Sequence, residues 1–288
     1  MARTAVSPKE DWIYKSQGVS GSKNRRSEHG KYKLQGIKMK ALIISGTAFL
    51  SSLCALTAVA DHHSAPMIGG VEVFGCDFED GKDMDDFMKV ANKWNKFAGK
   101  NFSKNYEAHL MTHYYFSDRQ ADAYWVGFTD NHHDMGIIAD EWSATGSKLQ
   151  AEFDAVCPAK SHTEHAWMKV HNDNEDQPLN GGLVDFQGCR FQEGASWAKL
   201  MAADAEMSAF MTKIEQHGSV YRWFPMNGTP SDGPDFLQLT WNNNASDRGE
   251  DIVKFVANGG LELANSLYGS IVVCKDGPTM LHRPLGGK

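Results

Sequence analysis

Gly75-Cys76-Asp77-Phe78-Glu79-Asp80-Gly81 reappears 113 residues later as Gly188-Cys189-Arg190-Phe191-Gln192-Glu193-Gly194. That repetition decides how the rest of the chain is read. Later landmarks keep the offset: Phe128 answers to Trp241, Asn131 to Asn244, Asp134-Met135-Gly136 to Asp247-Arg248-Gly249, and Ala144-Thr145-Gly146 to Ala257-Asn258-Gly259. So many matches without an insertion mark a duplicated unit.

Outward from the motif, Val71 to Phe78 is a strand candidate. Lys82 to Ala98 follows with Met84, Phe87, Met88, Ala91, Trp94 and Phe97 on one helical stripe. Tyr106–Phe116 and Ala123–Thr129 are β-rich runs joined as a hairpin. Met135–Val156 is helical with a break at Gly146, and Glu164–His171 alternates again. The second unit repeats the order with Leu183–Phe191, a helix over Ala195–Gln216, Ser219–Pro225, Phe236–Trp241 and a helix over Glu250–Leu267. Its last strand is either Ser270–Val273 or Thr279–Arg283. The expected class is therefore α+β, two tandem βαββαβ ferredoxin-like repeats, each an antiparallel sheet in the order 4-1-3-2 with its helices on one face.

Residues 39–60 read as a signal peptide: Lys38 and Lys40, an apolar run from Ala41 to Thr57, then Ala58-Val59-Ala60 as a cleavage site. Residues 1–38 are then an over-extended N-terminus, 61–171 the first repeat, 172–182 a polar linker and 183–288 the second repeat. Residues 61–288 hold 19 basic and 33 acidic side chains, a formal charge of about −14. Such a chain repels nucleic acid and anionic lipid. The expected location is periplasmic or secreted, with no membrane anchor after cleavage, as a monomer containing an internal pseudo-dimer.

Without Cys54 of the signal, four cysteines remain, and three pairings are open. The repeat favours Cys76–Cys157 and Cys189–Cys274, since strand 4 of such a unit lies beside strand 1. Each loop of about 80 residues is worth on the order of 4 kcal/mol in chain entropy.

Strands such as His109–Phe116 and Ala123–Phe128 are apolar or aromatic on both faces, so both faces need cover. Here residues 70–285 resemble the dimeric α/β-barrel superfamily, which includes antibiotic-biosynthesis-monooxygenase-like proteins. The resemblance rests on element order and duplication. It implies two sheets closing face to face around a cavity, and it admits cofactor-free or haem-dependent oxidation, but it carries no catalytic motif. The cavity between the sheets is the expected ligand site. Candidates for it are His109, Met111, His113 and Tyr115 on one strand, Trp125 on the next, and Arg222 and Phe224 at the equivalent places in the second repeat. His165, Trp167, Lys169 and His171 share a face of strand 4.

His132 and His133 open the second helix and occur only in the first repeat, whereas the shared Asn, Asp and Gly suit capping. Cleavage after Ala60 would leave Asp61-His62-His63, an amine-terminal copper or nickel motif with tetragonal nitrogen geometry. G-x-S-x-G, H-E-x-x-H, P-loop, C-x-x-C and G-x-G-x-x-G motifs are absent. The expectation is an exported protein holding a small apolar or aromatic ligand between its sheets. The alternatives are an oxidoreductase of the resembled kind, with or without haem, and an envelope interaction module.

Overall fold

The structure is a computed structural model that describes residues 68–171 and 181–287. The signal segment, the preceding residues 1–38, the His62-His63 motif and the linker over 172–180 lie outside the described residues.

The first half runs β1 (Ile68–Cys76), α1 (Met84–Asn101), β2 (Glu107–Tyr115), β3 (Ala123–Thr129), α2 (His132–Thr145), α3 (Ser147–Asp154) and β4 (Ala159–His171). The second runs β5 (Gly182–Phe191), α4 (Trp197–Lys213), β6 (Ser219–Asn227), β7 (Phe236–Asn242), α5 (Ala245–Ala257), α6 (Gly260–Tyr268) and β8 (Val272–Gly287). The eight strands form one closed antiparallel barrel in the order β1-β3-β2-β8-β5-β7-β6-β4. Each half contributes a 4-1-3-2 sheet. The two sheets do not simply stack: edge strand β2 pairs with β8 and β4 with β6, so hydrogen bonds close the ring at both seams.

Period-two alternation divides every strand between the barrel interior and the helix layer. Val71, Met111, Val126, Val184, Trp223, Leu239, Trp241 and Met280 fill the interior. Phe87, Val90, Ala91 and Trp94 of α1 pack with Leu110 and Trp125 outside the first sheet. Caps set the helix starts. Asp83 accepts from the backbone of Asp85 and Asp86, and Asn131 and Asn244 accept from Asp134 and Asp247 in the two halves.

The disulfides Cys76–Cys157 and Cys189–Cys274 each tie the first strand of a half to, or just before, its last. The last strand is both segments at once, since β8 runs sixteen residues through a bulged register against β5. The helix expected over Glu250–Leu267 starts earlier and is broken, because Gly259 takes φ 80° between α5 and α6.

Arg222 and Phe224 need correction. They face the helices, and Tyr221 and Trp223 point inward instead. α4 has 17 residues where α1 has 18, so the offset between halves falls to 112 at β6 and returns to 113 at β7. A one-residue slip moves every side chain of a strand to its other face.

Candidate functional site

Two cavities are candidate sites. The larger, about 340 Å³, lies between the first sheet and its helices, not between the sheets. β1 supplies Glu72 and Phe74, α1 supplies Phe87 and Trp94, β3 supplies Trp125, and α2 and α3 supply Trp142 and Phe153. Both members of the Cys76–Cys157 disulfide line it, so the repeated motif belongs to the site wall as well as to the scaffold.

A polar chain crosses this aromatic cavity. Trp125 Nε1 donates to Tyr106 Oη at 3.1 Å, and Tyr106 Oη donates to Glu72 Oε1 at 2.7 Å. Glu72 Oε2 meets His162 Nε2 at 2.9 Å, and the His162 ring stacks on Phe74 at 3.8 Å. Burial, and then the Glu72 charge, push the Tyr106 hydroxyl well above its usual range, so it stays protonated and donates. Gly127 makes this placement possible, since a Cβ there would stand 1.8 Å from Tyr106 Oη.

The smaller cavity, about 120 Å³, sits at one end of the barrel and is lined by Glu107, His109, Phe128, Trp167, Tyr221, Trp223 and Trp241. His109 Nδ1 lies 2.5 Å from His282 Nε2, and the two rings stack. Burial, and then His109, hold His282 down to about 3.

The expected residues therefore scatter. His109 lines the barrel-end cavity, and Trp125 lines the outer one, packed at 4.6 Å against Trp94. His113 packs against Phe116 and Tyr124, while Tyr115 is exposed near Arg248. His132 bonds Glu164 at 2.9 Å beside the α2 N-terminus, and His133 is exposed. Arg222, 1% exposed, pairs with Asp204 and lies over the Phe236 and Tyr268 rings. It fills the helix–sheet layer of the second half.

Glu72, Tyr106, His162, Tyr221 and His282 were not singled out from the sequence. Glu72 had a signal: it is the lone charge in the apolar strand Val71-Glu72-Val73-Phe74, where a carboxylate needs partners.

Among the described residues no group of three or more His, Cys, Asp or Glu side chains could hold a metal ion. No described helix is long and apolar enough to cross a membrane. The outer cavity does not fit a haem. Its imidazole, His162, is taken up by Glu72 and Phe74, and no Lys or Arg lines it to pair with propionates.

No family model matches the sequence, and no curated protein matches it. Solved structures do resemble the fold. A provisionally assigned monooxygenase from Lactobacillus acidophilus NCFM is 8% identical with a TM-score of 0.50, over 78% of this chain and 99% of that one. A provisionally assigned chlorite dismutase is 12% identical at 0.49, over 75% and 94%. A heme-binding protein from Thermus thermophilus is 8% identical at 0.43, over 76% and 93%. Identities this low are a likeness of architecture alone. In architecture the chain resembles the dimeric α/β barrel, with all eight strands of the ring carried by a single polypeptide.

Proposed function

We propose that this is an exported binding protein whose first half takes a small aromatic ligand with a hydrogen-bond donor into the outer cavity. Glu72 carries the reading. It is the one carboxylate among the described lining residues, in a wall rich in aromatic rings, and it is oriented on both oxygens by Tyr106 and His162. Its remaining lone pairs are what a phenol or N–H of a ligand would meet. The cavity volume falls within the range of about 300–1,000 Å³ typical of small-molecule sites. Two disulfides support an oxidising compartment. Closure of both sheet edges within one chain supports a monomer with an internal pseudo-dimer. The repeated motif and shared element order support duplication of a ferredoxin-like unit.

Trp94, Trp125 and Trp142 report binding directly, so the test is tryptophan fluorescence titration with 1-naphthol, alongside native mass spectrometry of the purified protein. Saturable quenching that Glu72→Gln weakens and the cavity-filling Ala139→Leu abolishes is expected. Quenching indifferent to Ala139→Leu would place the ligand elsewhere and end this reading.

A second reading is cofactor-free oxidation of an aromatic substrate. The same carboxylate favours it, since Glu72 could take the proton of an acidic C–H or O–H held against the aromatic wall. Oxygen uptake with an anthrone, lost in Glu72→Gln, would separate this reading from binding alone.

A further inference from the structure

The barrel-end cavity differs in kind from the outer one. Phe128, Trp167, Tyr221, Trp223 and Trp241 surround it from four strands. Neighbouring rings stand nearly at right angles: Phe128 to Trp223 at 65°, Phe128 to Trp241 at 66°, Tyr221 to Trp241 at 75° and Trp167 to Tyr221 at 71°. Rings so disposed are the walls of a box. One of the walls is fixed by the backbone and another by burial. Trp167 Nε1 donates to the Thr129 carbonyl at 3.2 Å, and its ring lies across Gly69, where a Cβ would come within 2.0 Å of Trp167 Nε1. Trp223 is 2% exposed among interior side chains.

Among the described residues the one charge in the lining is negative. Glu107 has a side chain 73% exposed, so it marks the mouth, and His109 beside it holds its carboxyl below the usual range. Among the described residues no Lys or Arg lines the space. A volume of about 120 Å³ is roughly that of four liquid waters, the scale of a tetrahedral N(CH₃)₄ group. Protein interiors seldom leave such a space between aromatic rings, because close packing fills it.

Aromatic faces carry negative potential, and several of them around a small cavity attract a cation that needs no hydrogen bonds. A primary ammonium would bring three donors to a box with one carboxylate at its rim. A metal ion would find no set of three ligands among the described residues. A methylated ammonium spreads its charge over methyl groups, and those match the box. We propose that the barrel end binds a methylated ammonium group, with Trp167, Tyr221, Trp223, Trp241 and Phe128 as walls and Glu107 as counter-ion. This site is separate from the outer cavity and does not depend on what that cavity holds.

The test is calorimetric titration of the purified, oxidised protein with choline, with tetramethylammonium, and with 3,3-dimethyl-1-butanol, the neutral isostere of choline. Choline and tetramethylammonium are expected to bind saturably, with the alcohol about tenfold weaker or more. Glu107→Gln, an exposed change that leaves the core untouched, should weaken both cations several-fold. Trp167→Leu should remove binding, and Ala139→Leu in the outer cavity should leave it unchanged. Equal binding of choline and its isostere would make this an apolar slot and overturn the proposal. So would absence of cation binding into the tens of millimolar. Because these comparisons use the unmodified protein, they decide the matter even if the tryptophan variant fails to fold.

Discussion

A carboxylate on the helix-facing side of a strand must be paid for with partners, and Glu72 has two. Its geometry depends on an atom that is absent, the Cβ of residue 127. In Gly127→Ala the Tyr106 ring must move, breaking the chain from Trp125 to Glu72. The expected loss is about 1–3 kcal/mol of stability, as for other overpacked sites, together with the 1-naphthol response. Urea denaturation and fluorescence titration measure the two. Arg222 poses the opposite problem. Burial raises the Asp204 carboxyl even though Arg222 opposes that, so the pair is maintained against desolvation. Arg222→Met should destabilise by about 3–5 kcal/mol, whereas Arg222→Met with Asp204→Leu should recover most of it. A double-mutant cycle in urea separates the two.

The buried histidines set an acid limit. His282 is held to about 3 and His165 to about 4, both chiefly by burial. Both are depressed from 6.5, so the unfolded chain takes up protons first as pH falls. Stability is full above about 6.5 and is lost on descending toward 4 and then 3. For His282 alone, the loss between pH 6.5 and 5 is about 2 kcal/mol. Thermal melts across that window should fall steeply, and His282→Gln should flatten the slope.

Among the elements, the helices after β3 and β7 are each broken in two, by different means. At Gly146 the break keeps φ −86°, and Trp142 lies against the position. At Gly259 the chain turns through φ 80°, which a side chain resists. A Cβ there meets little beyond Glu262 at 3.8 Å, so Gly259→Ala isolates the backbone term. It should lower stability by about 1 kcal/mol, read by chemical denaturation. The break at Gly146 was readable in the sequence. Its partner at Gly259 was equally visible in the aligned triplets, but the apolar run around it reads as one helix. The one-residue difference in length between α1 and α4 was less legible. A missing residue in a helix changes no motif, yet it reverses which face of β6 looks inward, and Arg222 with it.

At the scale of the molecule, the two disulfides do different work. Cys189 and Cys274 sit opposite each other in the β5–β8 ladder. Cys76–Cys157 lines the outer cavity. Replacing either pair by alanine should lower stability by about 4 kcal/mol through the loop it closes. Only the first pair should also change 1-naphthol affinity. Melting and titration of the two variants side by side test that distinction.

The sequence by itself determined the element order, the strand alternation and the helix caps, because each is written in local spacing and residue type. It also favoured one cysteine pairing, because the repeat constrains distance within each half. Only the tertiary structure decided that the sheet edges join and that the barrel interior is largely filled. It alone put the larger cavity under the helices. Those features depend on which strand faces meet and on how side-chain volumes fit between them. Neither quantity is local, and a shift of one residue in α4 is enough to change the answer.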